Sequence, residues 1–151
     1  MPSASIETSV GPLCVTVDNG AITRLDWRMT QDENPCDVTR EAIAQLTAYF
    51  AGQLKSFDLP LAPAGNPLQQ SVFQAMLDIP YGETRTYGEI AKDLGTFGQP
   101  VGQACGANPI PVIIPCHRVL SATGLGGYSG DGGLDTKITL LKLEGGYPFL
   151  L

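Results

Sequence analysis

The chain has 151 residues, of which 43% are hydrophobic and 16% are charged, so it can bury a sizeable core and disorder throughout is excluded. Its net charge of −6 argues against a protein that holds nucleic acid through a broad basic surface. Residues 1–66 hold eight acids and four bases (−4), and residues 67–151 hold seven acids and five bases (−2). Any contact with DNA would have to rely on backbone amides, helix N-termini and a few placed cations.

Four cysteines and a single histidine, His117, are spaced in no pattern that binds zinc, so we expect no metal site. The sequence shows neither a signal peptide nor an apolar run long enough to span a membrane. We therefore expect a soluble, cytoplasmic monomer with reduced thiols and no contact with membranes.

Residues 1–66 are predicted to form a small N-terminal subdomain of a protein of the α+β class. Apolar and polar residues alternate over residues 5–28, on both sides of an Asp-Asn-Gly turn signal at 18–20, and this pattern predicts a β-hairpin. Residues 56–59 are predicted as a short third strand. The subdomain would then combine a three-stranded sheet with one helix.

That helix is predicted between the hairpin and the third strand. Asp37 or Thr39 can cap a helix that runs to about Phe50. Its helical spacing predicts one buried side, made by Ile43, Leu46, Ala48 and Phe50. Residues 61–67, which contain Pro, Gly and Asn, are predicted as a linker to a second domain.

Residues 67–151 are predicted to form a helical C-terminal domain. A first helix is followed by a second that begins after Thr86, where the spacing of a capping box starts. A glycine-bearing turn follows at 95–98, and Pro100 is typical of the first turn of a third helix. This order outlines a helix-turn-helix, although a bundle of short helices explains the pattern equally well.

The third helix, residues 100–107, is made mostly of small, uncharged residues. Its helix propensity is poor, so one interpretation is tight packing against neighbouring helices. The functional interpretation is close approach to a narrow groove, which makes Gly102 and Ala104 candidates for DNA contacts. Absence of charge favours deep contact in the minor groove over base reading in the major groove.

The most informative stretch is residues 108–120, Asn-Pro-Ile-Pro-Val-Ile-Ile-Pro-Cys-His-Arg-Val-Leu. Its three prolines favour an extended backbone over a helix. Near its end, Cys116 stands directly before His117 and Arg118. A neighbouring imidazole or guanidinium lowers the pKa of a thiol and favours the nucleophilic thiolate, so Cys116 is predicted to be reactive rather than a core residue.

This stretch resembles the PCHRV active-site signature of the methylated-DNA–protein-cysteine methyltransferases, or O6-alkylguanine-DNA alkyltransferases. The resemblance covers nearly the whole chain. Its further motifs are VGPL at 10–13, AYFAGQ at 48–53, IPYGETRTYGEIA at 79–91 and GYSGDGGLDTKITLLKLEG at 127–145. It implies DNA repair by direct, irreversible transfer of an alkyl group from O6-alkylguanine, and from O4-alkylthymine as a further substrate, to Cys116. No cofactor is implied, and each molecule would act once.

The resemblance also implies roles for the residues around the cysteine. His117 would connect, through water, to Glu144 and draw the thiol proton away. Asn108 would hydrogen-bond to the backbone around the site and fix its turn. Tyr87 would contact the extruded guanine and help to protonate the leaving base.

A second set of residues is implied in binding the damaged base, which must be flipped out of the duplex. The backbone carbonyl of Val119 would read the exocyclic amine of the base. Tyr128 and Ser129 would form the wall of the alkyl pocket. Arg118 is a further candidate for contact with substrate or DNA.

The chain departs from the family pattern at the start of the third helix. The family has an arginine there that fills the space left by the flipped nucleotide, whereas this chain has Gln99. Gln99 could still fill the gap and hydrogen-bond the orphaned base, but it brings no cation, so we expect weaker duplex binding. Cys105 is not typical of this helix and is interpreted as a small core residue.

Three alternatives stay open. A lesion-binding protein of the same fold would flip the base without transfer, but such members replace the cysteine that is kept here. A Cys–His hydrolase would need an oxyanion hole, and a thiol-redox protein would need a resolving cysteine, which Cys105 could be only if the fold brings it close. The third alternative is an alkyltransferase whose substrate range is altered by Gln99.

Overall fold

The computed structural model describes residues 1–31 and 33–146. It divides into two compact units, residues 1–64 and residues 65–151. The predicted α+β class is confirmed, since a three-stranded antiparallel sheet with a helix precedes a unit made mainly of helices. Among the helices of the described residues, none combines the length and the hydropathy that crossing a bilayer would require.

The first unit contains a sheet with the strand order β1-β2-β3. Its elements are β1 (Ser3–Thr8), β2 (Gly11–Asp18), β3 (Ala21–Asp26) and helix α1 (Asp37–Phe50). The hairpin predicted around the turn at 18–20 is formed by β2 and β3, and a second turn that ends at Gly11, whose φ of +101° suits glycine, adds β1 to the sheet. The strand predicted at residues 56–59 is wrong, since the only pairing nearby in the described chain is an isolated bridge between Ile22 and Leu61.

Helix α1 has a different cap and a different buried side from those predicted. Its N-cap is Cys36, whose backbone N–H donates to Thr39 Oγ1 at 2.8 Å. The buried residues of the helix are Thr39, Ala42, Leu46 and Tyr49. Leu46 alone belongs to both sets, because its neighbours three and four positions away face the sheet with it.

The second unit carries the cysteine–histidine segment. Its described elements are α2 (Pro67–Leu77), β4 (Arg85–Thr86), α3 (Tyr87–Leu94), α4 (Gly98–Gly106), a 3₁₀ turn (Cys116–Arg118), β5 (Val119–Leu120) and α5 (Leu134–Glu144). Strands β4 and β5 pair in parallel, with Arg85 opposite Val119. Since β4 leads directly into α3 and β5 follows the 3₁₀ turn, this pair holds the start of α3 beside Cys116.

The helix-turn-helix order is present in α3 and α4. The capping box is formed, with Glu89 N donating to Thr86 Oγ1 at 3.1 Å and Thr86 N donating to Glu89 Oε1 at 2.8 Å. Gly95 ends α3 in the left-handed conformation, with φ of +69°. Helix α4 begins at Gly98, two residues before Pro100, and packs against α3.

A non-helical segment joins α4 to the 3₁₀ turn, as its prolines predict, but it forms a turn at residues 110–114 instead of the extended backbone that was expected. Residues 110–120 are all buried, so the segment carries Cys116 into the interior of the unit. Within it Val112 has a φ of +73°, a conformation that is strained for a β-branched residue. The hydrogen bond from Ile114 N to the Ile110 carbonyl at 2.9 Å closes the turn around Val112 and holds it in place.

Candidate active site

Cys116 lies at the wall of a cavity of about 400 Å³ in the second unit. The other lining residues are Tyr87, Gly102, Cys105, Gly106, Gly127, Tyr128 and Ser129. A Cβ added at Gly102, Gly106 or Gly127 would meet no atom within 4 Å, so the glycines leave open space in the wall. Helices α3 and α4, the 3₁₀ turn and the loop before α5 therefore meet around one sulfur.

His117 is fully buried and contacts Glu144 directly, with 2.8 Å between Nε2 and Oε2. The water predicted between these side chains is therefore not part of the link. Burial lowers the pKa of His117 and outweighs the raising effect of Glu144, so the ring is neutral and Nε2–H donates to the carboxylate. This leaves Nδ1 as an acceptor, and it has no hydrogen-bond partner among the described residues.

Arg118 has a different role from the predicted contact with substrate or DNA. Its Nε and Nη2 donate to the two carboxylate oxygens of Glu144 at 2.8 and 2.9 Å, and Nη1 donates to the Ile79 carbonyl at 2.6 Å. The side chain is only 9% exposed, so the guanidinium is not available to a ligand. Arg118 instead fixes the carboxylate that orients His117.

Asn108 holds the backbone that leads to Cys116. Its Nδ2 donates to the Ile114 carbonyl at 2.9 Å, and its Oδ1 accepts from the N–H of Ile110 at 3.0 Å. A hydrogen bond from Asn108 also lowers the pKa of the Cys116 thiol. The side-chain amide of Asn108 therefore fixes the backbone conformation of residues 108–114 and favours the thiolate form of Cys116.

The resting sulfur of Cys116 is a thiol. Burial raises the pKa of Cys116 more than Asn108 and the charge of Lys137 lower it. The expectation that His117 and Arg118 make it a thiolate is wrong, because the imidazole is neutral and the guanidinium is paired with Glu144. Cys116 thus needs a base that takes its proton as it reacts.

Lys137 is a site residue that the sequence analysis missed. It lies in α5 and is fully buried. Its Nζ donates to the carbonyls of Val119 at 2.6 Å, Leu125 at 2.5 Å and Gly127 at 3.0 Å. One ammonium group therefore ties β5 to the loop at residues 121–133, which we call the cavity loop.

The charge of Lys137 also interacts with the two thiols that line the cavity, those of Cys105 and Cys116. Burial lowers the pKa of Lys137 to about 8, while Cys116 and Cys105 raise it. A signal for Lys137 exists in the sequence, since it shares a helical face with Leu140, Leu141 and Glu144 at positions i, i+3, i+4 and i+7. A lysine on the apolar face of a helix is unusual and could have been singled out.

Tyr87 is the first residue of α3 and packs against the cavity loop. Burial raises the pKa of its hydroxyl, so the hydroxyl stays protonated. Gly126 has a φ of +72°, and a Cβ there would lie 2.8 Å from the ring of Tyr87. Glycine at position 126 therefore avoids a clash with the ring of Tyr87, which lines the cavity.

The remaining residues predicted to bind DNA or the base, Ala104, Gln99 and Val119, differ in whether their side chains are exposed. Ala104 is buried, so its predicted contact with DNA is contradicted: it lies on the side of α4 that packs inward. Gln99 is exposed in the first turn of α4. Val119 is buried, and its carbonyl already accepts from Lys137, so reading a base would need the second lone pair of that oxygen.

Cys105 is buried, as expected of a core residue, but it also lines the cavity. Its sulfur lies 3.6 Å from the sulfur of Met76. Burial raises the pKa of Cys105 to about 12, and the neighbouring Cys116 adds to this. Cys105 is therefore a neutral, apolar part of the wall.

Comparison with known proteins identifies relatives over the whole length of the chain. Residues 67–146 match the family described as 6-O-methylguanine DNA methyltransferase, DNA binding domain. Residues 1–63 match the family described as 6-O-methylguanine DNA methyltransferase, ribonuclease-like domain.

Two relatives are named methylated-DNA–protein-cysteine methyltransferase. The protein of Methanosarcina acetivorans is 47% identical, and the match covers 94% of this chain and 97% of the relative. The protein of Mycobacterium leprae is 45% identical, with 93% and 90% covered.

Solved structures of similar proteins agree with these matches. The crystal structure of Mycobacterium tuberculosis OGT in complex with DNA has a TM-score of 0.85 and 41% identity, and the match covers 99% of this chain and 96% of that one. The O6-methylguanine DNA methyltransferase of Methanococcus jannaschii has a TM-score of 0.70 and 30% identity, with 97% and 96% covered. With both of its units matched, the chain belongs to the methylated-DNA–protein-cysteine methyltransferase family.

Proposed function

We propose that this protein repairs DNA by taking the alkyl group of O6-alkylguanine, and of O4-alkylthymine, directly and irreversibly onto Cys116. The observation that carries the proposal is the Cys116 sulfur at the wall of an open cavity, next in sequence to a histidine that is oriented by a buried carboxylate. The relatives named for the same transfer support it. We place the reaction in the cytoplasm, where thiols stay reduced.

Proton removal is the first step that we propose. Nδ1 of the neutral His117 takes the proton of Cys116, and Glu144 stabilises the imidazolium through its contact with Nε2. Asn108 and the charge of Lys137 favour the resulting thiolate. The buried sulfur is thereby activated while it faces the substrate.

Alkyl transfer follows as a displacement at the alkyl carbon. The carbon–sulfur bond forms as the carbon–oxygen bond breaks, and the electron pair moves to O6 of the base. Tyr87, whose hydroxyl stays protonated because burial raises its pKa, donates a proton to the leaving base, and the proton held by His117 then returns both side chains to their neutral forms. The thioether is permanent, so each molecule acts once and no cofactor takes part.

The target atom lies within the duplex, so the base must enter the cavity in a flipped position. We propose that α4 enters the minor groove, with Gly102 facing the base and exposed Gln99 hydrogen-bonding the orphaned partner base. Tyr128 and Ser129 then flank the alkyl group from the opposite wall. The protein would act on DNA as a monomer.

The test is intact-mass analysis after mixing the protein with a duplex that carries O6-methylguanine. We expect a gain of one methyl group, located in the peptide that contains Cys116 and absent in Cys116→Ala. Cys36→Ala, which changes a thiol of the first unit, should still gain the group. Binding without a change in mass would indicate a lesion sensor, and repeated turnover would indicate a hydrolase; either result would refute the transfer.

A further inference from the structure

The aromatic ring of Phe97 projects into solvent at the turn between α3 and α4. Its residue is 80% exposed, whereas the other large apolar residues exposed in the described chain are not aromatic: Met1, Met29, Leu77 and Leu134. Phe97 is also the N-cap of α4, where it makes no side-chain hydrogen bond. Since a polar residue would cap the helix better and a buried ring would be more stable, neither capping nor packing explains Phe97.

Phe97 begins the helix whose later residues line the cavity. Gly102 and Gly106 line the cavity from α4, and Phe97 precedes Gly102 by five positions. At 1.5 Å per helical residue, this is about 7.5 Å along the axis, or roughly two steps of 3.4 Å in a base stack. A base that moves into the cavity would therefore leave a gap within reach of this end of α4.

The residues around Phe97 favour insertion of its side chain between DNA bases over electrostatic attraction to phosphates. From residue 94 to residue 116 the sequence contains no Asp, Glu, Lys or Arg. A Cβ added at Gly98 would meet no atom within 4 Å, so the backbone beside the ring is open to close approach. A neutral surface that projects one large apolar side chain is the kind that wedges between base steps in the minor groove.

We infer that Phe97 is a wedge that enters the base stack and fills the gap left by the flipped nucleotide. The inference rests on the proposed function, because it needs a base that enters the Cys116 cavity. The flat ring stacks on the neighbouring bases whatever their sequence. Gln99, in the first helical turn, then hydrogen-bonds the orphaned base without having to fill the space.

The experiment compares two substrates that share the chemistry and differ in base flipping. One is a duplex with O6-methylguanine, and the other is free O6-benzylguanine, which needs no opening of a duplex. We expect Phe97→Ala to slow transfer from the duplex about tenfold, the order of one lost stacking contact, and to leave transfer from the free base unchanged. Phe97→Trp should restore the duplex rate. Leu77→Ala, which removes another exposed apolar side chain of this unit, should alter neither rate.

Fluorescence gives a direct readout of stacking. In Phe97→Trp, the new indole should be quenched when duplex binds, after subtraction of the signal of the parent protein, which contains Trp27. An unchanged duplex rate in Phe97→Ala would overturn the wedge while the proposed function stands, and an equal loss on both substrates would also overturn it. Should the parent transfer no alkyl group, the proposed function fails, and the quenching still decides whether residue 97 stacks.

Discussion

At the scale of single residues, the proposed reactivity of Cys116 depends on buried side chains that do not line its cavity. Arg118 holds both oxygens of Glu144, and Glu144 holds Nε2 of His117. Burial lowers the pKa of His117, and the guanidinium of Arg118 adds to this by compensating the carboxylate, so the ring stays neutral and presents Nδ1 as an acceptor. The buried ion pair of Arg118 and Glu144 thus orients His117, the side chain that we propose takes the proton of Cys116.

Lys137 provides a test of the electrostatics of the sulfur. Its charge lowers the pKa of Cys116, so in Lys137→Met that pKa rises and the curve of transfer rate against pH moves to higher pH. A rise of one unit would reduce the thiolate, and the rate near pH 7.5, about tenfold. The effect should be largest below pH 8, because the parent loses the charge of Lys137 as pH rises through about 8.

The measurement is the rate of alkyl transfer from free O6-benzylguanine between pH 6 and pH 10. Lys142→Met, a change of an exposed lysine on the same helix, serves as the control and should keep the parent profile. A Lys137→Met profile that falls in height without moving along the pH axis would show that Lys137 acts only by tying the loop to β5.

At the scale of elements, we propose that the first turn of α4 determines the affinity for duplex DNA. Gln99→Arg adds a cation at the exposed end of this helix, and we expect binding of the damaged duplex to tighten about fivefold and repair to become faster. Fluorescence anisotropy of a labelled duplex measures the affinity. Gln103→Arg places the same charge at another exposed position of α4 and should tighten binding less. If Gln99→Arg binds no better than the parent, the argument from the missing arginine is wrong.

Elements with local signals could be predicted from the sequence, and those that depend on distant partners could not. The capping box at Thr86 depends on neighbouring residues and is formed. The prolines before Cys116 likewise exclude a helix there, although the segment turns at residues 110–114 instead of staying extended. The role of Arg118 depends on Glu144, 26 positions later, and on Ile79, 39 positions earlier. Single-sequence patterns carry no such pairing, so Arg118 was assigned to the substrate.

The strand predicted at residues 56–59 failed for a related physical reason. A strand needs a partner as well as an apolar pattern. In the described chain the third strand of the sheet is β1, which the turn before Gly11 brings back against β2. Ala104 was assigned to the DNA side because its size fits a groove. The contacts of α4 decide which of its small residues face inward, and size alone does not.

At the scale of the whole molecule, the acidic composition limits how the protein holds DNA. Residues 65–151 contain five Lys or Arg, of which Arg118 and Lys137 are buried. At most three cations of this unit can therefore reach phosphates. With a slope of about −0.9 per neutralised phosphate, a plot of log affinity against log salt should be no steeper than about −3.

Titration of an undamaged duplex with the protein at several salt concentrations measures this slope. A slope near zero would still agree with contacts made by backbone amides and apolar side chains. A slope of about −6 would require twice as many phosphate contacts as the unit has available cations, and would show that the first unit contributes most of the charge.

The network behind Cys116 also has a consequence for the order in which the site is assembled during synthesis of the chain. Lys137 and Glu144 both belong to α5, which ribosomes make after every other described element of the unit. Until α5 docks, His117 lacks the carboxylate that orients it, so the base that takes the proton of Cys116 is not yet in place. Synthesis of the last helix therefore completes the proton acceptor, and the same docking buries the sulfur and raises its pKa, so that the thiol rests protonated until a substrate arrives.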